Sequence, residues 1–345
     1  MPTPVLTPAE VRQAVERLPR VRLAHLPTPL EEAPRFSRAV GGARVFLKRD
    51  DCTGLLFGGN KARQNEFLFG DARAQGADLF VWGFAEQSNN TRQTAAACAK
   101  LGLECRLYLS RGRTGGTPQG NLLLDYLVGA RVELVDTTMG PEHDAYLAAR
   151  AAEFRAAGRK PYYWDRDHCR PIAAVGYVLA LAELVEQLQA QGLEPAAIYV
   201  CSAGSTGAGL TLGKAVLGLR YPVRLVSPIA WPWNVPEDLA KVANRTAELM
   251  GLPHRLTAAD MDYTEEQIGA GYALPTPGSR EALKLLATRE GVLLDPTYSA
   301  KAMAGLIADV RRGRFRPGEV VVFIHTGGTP VVFAVADEVL AACTS

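Results

Sequence analysis

Residues 55–67 read LLFGGNKARQNEF and set Lys61 directly behind Gly58, Gly59 and Asn60 at the start of a helix-forming run. Two glycines allow positive φ, the asparagine can cap the helix, and the lysine then sits on the first turn beside N–H groups without intrahelical acceptors. The partial positive charge of a helix start disfavours an ammonium, so the pKa of Lys61 is expected to fall. A neutral amine suits imine chemistry; the alternative is a solvated lysine opening an ordinary helix. Residues 86–102, EQSNNTRQTAAACAKLG, form an alanine-rich helix closed by Lys100 and Gly102. Its start carries Gln87, Ser88, Asn89, Asn90 and Thr91, more capping groups than one helix needs. Free N–H groups among short hydroxyl and amide side chains make a receptor for a carboxylate. Residues 201–213, CSAGSTGAGLTLG, follow a strand and open a helix, and the small residues Ala203, Gly204, Ser205 and Thr206 let backbone N–H groups approach a phosphate. The glycines run G-x-x-G-x-G, which is neither the dinucleotide fingerprint nor the Walker pattern. Residues 323–330, FIHTGGTP, place Thr326 at a strand end before a helix opened by Pro330, where open α/β sheets hold ligands. His325 is expected to be a satisfied core residue. Tyr272 and Tyr298 sit among Gly, Pro and Ser in loops, where aromatics are less often core filler.

These segments need a frame. From Leu79 onward, short apolar runs (79–82, 105–109, 131–135, then 197–201, 223–227 and 319–325) alternate with helix-length segments, which means parallel strands with crossover helices, an α/β protein. Roughly ten strands approach the limit of one open sheet, so two sheets sharing a cleft are expected. The chain has 345 residues, 48% apolar and 21% charged, with a net charge of +2, which excludes disordered and membrane-embedded classes and leaves no basic surface for nucleic acid. The basic run RRGRFR at 311–316 is expected to close a helix and its loop. No apolar stretch reaches about 18 residues, and the N-terminus carries acids and prolines where a signal peptide needs an apolar core; a cytoplasmic enzyme is expected. Six scattered cysteines and five scattered histidines give neither a disulfide framework nor metal spacing. Residues 110–120, SRGRTGGTPQG, read as a flexible surface connection.

A lysine set for imine formation, a phosphate cradle and a carboxylate pocket describe a site for pyridoxal 5'-phosphate and an amino acid. At this point the chain resembles the D-cysteine desulfhydrase and 1-aminocyclopropane-1-carboxylate (ACC) deaminase group of fold-type II enzymes. The resemblance runs from about Pro27 to Phe333, through PTPLEEAPRFS…VFLKRDDCTGLLFGGNKARQ, QSNNTRQTAAACAKLG, GLTLGKAVLG, LLDPTYSAKAMAGLI and FIHTGGTP in that order. It implies two open parallel-sheet domains like those of tryptophan synthase β: residues 1–56 with 172–345 as the large cofactor-binding domain, and 57–171 as a small inserted one. It implies that Lys61 carries the imine, that Asn89 meets the cofactor's 3'-oxygen, that Ala203, Gly204, Ser205 and Thr206 hold the phosphate, and that Thr326 meets the pyridine nitrogen. Gln87, Ser88 and Asn90 would grip the substrate carboxylate, Tyr272 and Tyr298 would flank the substrate, and the enzyme would be a homodimer.

The resemblance implies an α,β-elimination, foremost of D-cysteine to pyruvate, sulfide and ammonia. ACC deaminases are similar to one another in an acid after the second tyrosine; here that residue is Ser299, which disfavours ring opening. Either Lys61 or Ser88 would move the Cα proton. Other β-substituted alanines such as cysteate suit the same chemistry, and a non-catalytic binding protein is a rival of another class. A nicotinamide dehydrogenase would need a G-x-G-x-x-G after a strand, which is missing. Three departures from the family pattern, Phe84-Ala85-Glu86, Asn90, and Ser205 with Gly207, border the substrate end of the site.

Overall fold

The computed structural model describes residues 4–344. Along the chain run α1 (Pro8–Val15), β1 (Leu30–Glu32), α2 (Pro34–Val40), β2 (Arg44–Lys48), α3 (Lys61–Ala74), β3 (Leu79–Ala85), α4 (Asn89–Leu101), β4 (Glu104–Ser110), α5 (Gly120–Leu127), β5 (Arg131–Val135), α6 (Pro141–Ala156) and β6 (Pro161–Tyr163). Then follow α7 (Arg166–Ala190), β7 (Pro195–Cys201), α8 (Ser205–Val216), β8 (Val223–Val226), α9 (Val235–Met250), β9 (Tyr263–Thr264), α10 (Pro277–Glu290), α11 (Ser299–Arg311), β10 (Val320–Ile324), α12 (Pro330–Ala334) and α13 (Ala336–Thr344).

Two sheets result, one ordered β1-β2-β10-β7-β8-β9 and the other β5-β4-β3-β6. All pairs are parallel except β1 with β2. Every residue of β10 is buried, as its run VVVFI requires of a strand covered on both faces, whereas β5 at a sheet edge alternates. The expected strands are present to within three residues at either end. The short β1 and β9 carried no apolar signal, and the antiparallel β1 departs from strict alternation.

The apolar helix α7 is the axle on which α1, α3, α8 and α9 pack. Its 25 residues are long and apolar enough to cross a membrane, contrary to the expectation of no such stretch, but they are mostly buried inside the fold. Close approach is possible because a Cβ on Gly176 would meet the Arg63 carbonyl oxygen at 2.5 Å, and one on Gly209 the Ala174 oxygen at 2.3 Å. The basic run after α11 is tied down by acids: Arg311 to Glu281, Arg312 to Glu266, Arg314 to Asp309 and Arg316 to Glu319. Five cysteines carry free thiols, and the side chain of Cys343 lies outside those described. Among the described residues no His/Cys/Asp/Glu cluster could hold a metal.

Candidate active site

One cavity collects the starts of α3, α4 and α8, the end of β7, the loop after β10, and the two loop tyrosines. Lys61, Ser88, Asn89, Asn90, Ala203, Gly204, Ser205, Thr206, Tyr272, Tyr298 and Thr326 all line it; Gln87 does not.

Gly58 and Gly59 take φ of 63° and 122°, as the hinge before Lys61 demands, and a Cβ on Gly58 would lie 2.0 Å from the Asp51 oxygen. Asn60 does not cap α3: its backbone is already helical, and its amide instead donates to the Thr206 hydroxyl oxygen at 3.0 Å. Among the described residues no acceptor lies within hydrogen-bond distance of the Lys61 amine. Burial lowers its pKa to about 8. Burial also holds Cys201 well above an ordinary thiol, and it is therefore neutral.

The turn after β7 fits a phosphate. The Thr206 oxygen accepts from Asn60 and, at 2.8 Å, from Gln64, which leaves the hydroxyl only its proton to give into the cavity. The first amides of α8 lack intrahelical acceptors. Gly204 lines the cavity, and a Cβ there would meet nothing within 4 Å. Gly207 and Gly209 serve other ends: the Gly207 amide donates to Ser202 Oγ at 2.8 Å, and Gly209 spaces α8 from α7.

At the start of α4, Ser88 Oγ accepts the amides of Asn90 at 3.1 Å and Thr91 at 3.3 Å, so those two N–H groups are not free for a carboxylate as the sequence suggested. What remains is the Ser88 proton and the Asn90 side-chain amide. Asn89 Oδ1 accepts from Asn121 Nδ2 at 2.9 Å and from Arg92 Nη2 at 3.4 Å, which turns its NH2 toward the cavity, the donor that a phenolic oxygen would need. Gln87 is held by the loop before α5: it donates to the Gln119 carbonyl at 3.1 Å and accepts from the Asn121 amide at 2.9 Å. That loop is no free connection. The buried Glu86 carboxylate accepts from Thr114 N at 2.7 Å, Thr114 Oγ1 at 2.6 Å and Gly116 N at 3.0 Å.

Tyr272 and Tyr298 share a hydroxyl–hydroxyl bond, with ring centroids 5.8 Å apart, and burial raises both pKa values so that both stay protonated. Ser299 lies off the cavity and donates to Asp295 Oδ1 at 2.6 Å. Thr326 faces the cavity, and its carbonyl accepts from Asn60 N at 3.0 Å. His325 is buried and satisfied, as expected: Nδ1 accepts from Gly327 N, so Nε2 carries the proton and donates to the Leu293 carbonyl at 3.0 Å. Sequence reasoning missed Arg92, Arg166, Trp164 and Trp231. The first lies beneath the site and the others form its outer wall, with the Arg166 guanidinium 4.6 Å from the Trp233 ring. Arg92 lies within the segment QSNNTRQTAAACAKLG without standing out there as a site residue, and no local motif marks the other three.

The family model for pyridoxal-phosphate dependent enzymes matches residues 21–327. The chain is 39% identical over 324 residues to the D-cysteine desulfhydrase of Salmonella typhi, covering 92% of this chain and 96% of that protein. The fold is similar to a crystal structure of an ACC deaminase homologue, with a TM-score of 0.87 and 33% identity over 96% of this chain and 98% of the other. At 15% identity and a TM-score of 0.66, Escherichia coli diaminopropionate ammonia lyase, solved with an aminoacrylate-PLP azomethine reaction intermediate, shares the fold over 97% of this chain and 91% of its own.

Proposed function

The chain belongs to the pyridoxal-phosphate dependent enzymes, and from that premise we propose that it is a lyase for small β-substituted amino acids, converting D-cysteine and water to pyruvate, hydrogen sulfide and ammonia. The observation that carries this reading is the unpartnered amine of Lys61, titrating at about 8, in the cavity that also holds the cradle at 203–206 and the Asn89 amide. Bound pyridoxal phosphate supplies an aldehyde for amines and a conjugated ring that draws electrons from the substrate Cα. Lys61 would hold the cofactor and, as a neutral amine, take the Cα proton. Ser88 already receives two backbone N–H bonds on its oxygen, which supports it as a carboxylate donor beside Asn90 rather than as the base. Thr326 would give its hydroxyl proton to the ring nitrogen, and Tyr272 with Tyr298 would flank the substrate.

Gln87 would act through the loop it holds rather than on the carboxylate itself. Curated relatives named D-cysteine desulfhydrase at 39% identity support the substrate. ACC deamination is the second reading, favoured by the structural likeness to an ACC deaminase homologue. A hydroxyl at the ring nitrogen cannot stabilise a pyridinium as a carboxylate would, and Ser299 is committed to Asp295, which argues against it.

We take 1–56 with 172–345, and 57–171, as the two units. In support, every strand of the six-stranded sheet falls in the first and every strand of the four-stranded sheet in the second. A cytoplasmic homodimer completes the reading, with exposed Leu123, Tyr126 and Leu127 on α5 and Phe333 on α12 supporting an interface that light scattering would test. The central experiment is the visible spectrum of purified protein, followed by addition of D-cysteine, L-cysteine, cysteate and ACC with assays for keto acid and sulfide. Pyruvate and sulfide from D-cysteine are expected. Colour without turnover on any substrate supports a non-catalytic binding protein, and keto acid from ACC alone overturns the Thr326 argument.

A further inference from the structure

The backbone that delivers Lys61 is strained. Leu55, Leu56 and Phe57 take φ of 41°, 54° and 65°, three successive non-glycine residues in the left-handed region, before the two positive-φ glycines. Such a run persists only where its surroundings over-determine it. The group that does so is Arg92 of α4, fully buried, whose guanidinium donates to the Leu56 carbonyl and, at 3.0 Å, to that of Gly58. The same Nη2 reaches Asn89 Oδ1, on the oxygen that must stay occupied if the amide NH2 is to face the cavity. Its Nε has no partner, and no carboxylate lies within ion-pair distance among the described residues; Asp125 on α5 attracts it from farther off.

A buried, incompletely bonded cation is costly where only a fold must be held. We propose that Arg92 is a positioning residue for the cofactor site: its fork fixes both the hinge before Lys61 and the Asn89 amide, so that the amide NH2 and not its oxygen is offered to the cofactor. The other ionisable groups are Cys201 on β7 beside Lys61, the buried Asp295 and Lys301 near Cys201, Tyr272 and Tyr298 across the cavity, and Arg166 and Arg170 in its lining. Cys201 and both tyrosines are held neutral by burial, and Arg170 is bonded to Asp238 at 2.9 and 2.6 Å.

The proposal rests on Lys61 holding the cofactor, and the test separates the two. In the purified holoenzyme the pH transition of the visible band is recorded for wild type, Arg92→Gln and Arg92→Lys. Without the fork the Asn89 NH2 is no longer held toward the cofactor's oxygen, and loss of that donor stabilises the protonated nitrogen, so Arg92→Gln is expected to move the transition up by about one pH unit. Arg92→Lys keeps the charge without the fork. It is expected to show the same upward move and to lose at least about tenfold in kcat on D-cysteine while keeping the wild-type urea midpoint, a combination that a general loss of structure would not give. An unmoved transition in Arg92→Gln, or wild-type kcat in Arg92→Lys, overturns the role of Arg92. A wild type with no visible band, or with no borohydride-fixed label on Lys61, overturns the underlying reading instead.

Discussion

An amine that titrates near 8 is neutral in substantial part where an ordinary lysine is not, and this has a measurable consequence before any substrate is present. On the proposed role of Lys61, uptake of pyridoxal phosphate by the apoprotein draws on its unprotonated amine. Its rate is therefore expected to rise with pH through a midpoint near 8 instead of near 10.5, measured by stopped-flow absorbance. A midpoint above 10 would mean that the enclosure does not act on this side chain. The cradle gives a second test. A Cβ at position 204 meets no atom, so Gly204→Ala should fold with nearly wild-type stability while weakening cofactor binding at least about tenfold, because the methyl occupies space the phosphate needs. Equilibrium dialysis checks it; unchanged affinity would mean that the phosphate sits elsewhere. At this scale the sequence was legible where chemistry is local, as in the positive-φ hinge of Gly58 and Gly59 before Lys61, while Asn60 turned out to bond Thr206 and not to cap α3. It was illegible where a side chain answers to a distant partner: Gln87 points at Gln119 and Asn121, and Arg92 at Leu56 and Gly58.

Among elements, the contact that aims α8 at the cavity is its crossing with α7. There the Ala174 carbonyl approaches so closely that a methyl on Gly209 would stand 2.3 Å from its oxygen and 2.8 Å from Tyr177 Cβ. Backbone cannot yield as a flexible side chain can, so Gly209→Ala is expected to destabilise by about 1–3 kcal/mol, read as a lower urea midpoint, while Gly204→Ala does not. Equal midpoints for the two would remove the distinction between packing and ligand glycines. The sequence presents both as one Gly-rich loop, because a small residue at a helix crossing and one at an anion site look alike until the neighbouring helix is known. Continuous apolar runs such as VVVFI announced their strands. The three-residue β1 and two-residue β9 did not, since their pairing rests on backbone contacts with β2 and β8 rather than on a pattern of their own. The tether of Thr114 and Gly116 was hidden for a related reason: the buried acceptor, Glu86, follows β3, the strand paired with β4, from which the loop departs.

For the whole molecule, the start of α3 is pinned by a buried cluster that joins four distant parts of the chain. Asp50 accepts from Arg63 at 2.9 Å through two nitrogens, from Thr28 Oγ1 at 2.8 Å and from Tyr177 at 2.7 Å. Glu183 accepts from Arg63 at 3.0 and 2.8 Å, from Lys48 at 2.5 Å and from the Thr28 amide at 3.0 Å. Two cations and two carboxylates cancel in charge, so deleting one member leaves the others buried and unbalanced. Glu183→Gln is expected to destabilise by about 3–5 kcal/mol near neutral pH, with loss of the visible band following unfolding because Arg63 stands two residues from Lys61. The acid dependence has a definite sign. Burial alone would raise both carboxyl groups, but Arg63 and Lys48 outweigh it and hold the folded-state pKa values of Asp50 and Glu183 below their ordinary ones. Their contribution is therefore complete above about pH 4–5, the range of unfolded carboxyls, and is lost as pH falls through the lower folded values. Urea midpoints taken from pH 7 down to pH 3 should fall more steeply for wild type than for Glu183→Gln, which lacks one of the two carboxylates. Parallel curves would show that the cluster does not couple protonation to the joint between α3 and α7, and that Lys61 is held in place by packing on α7 alone.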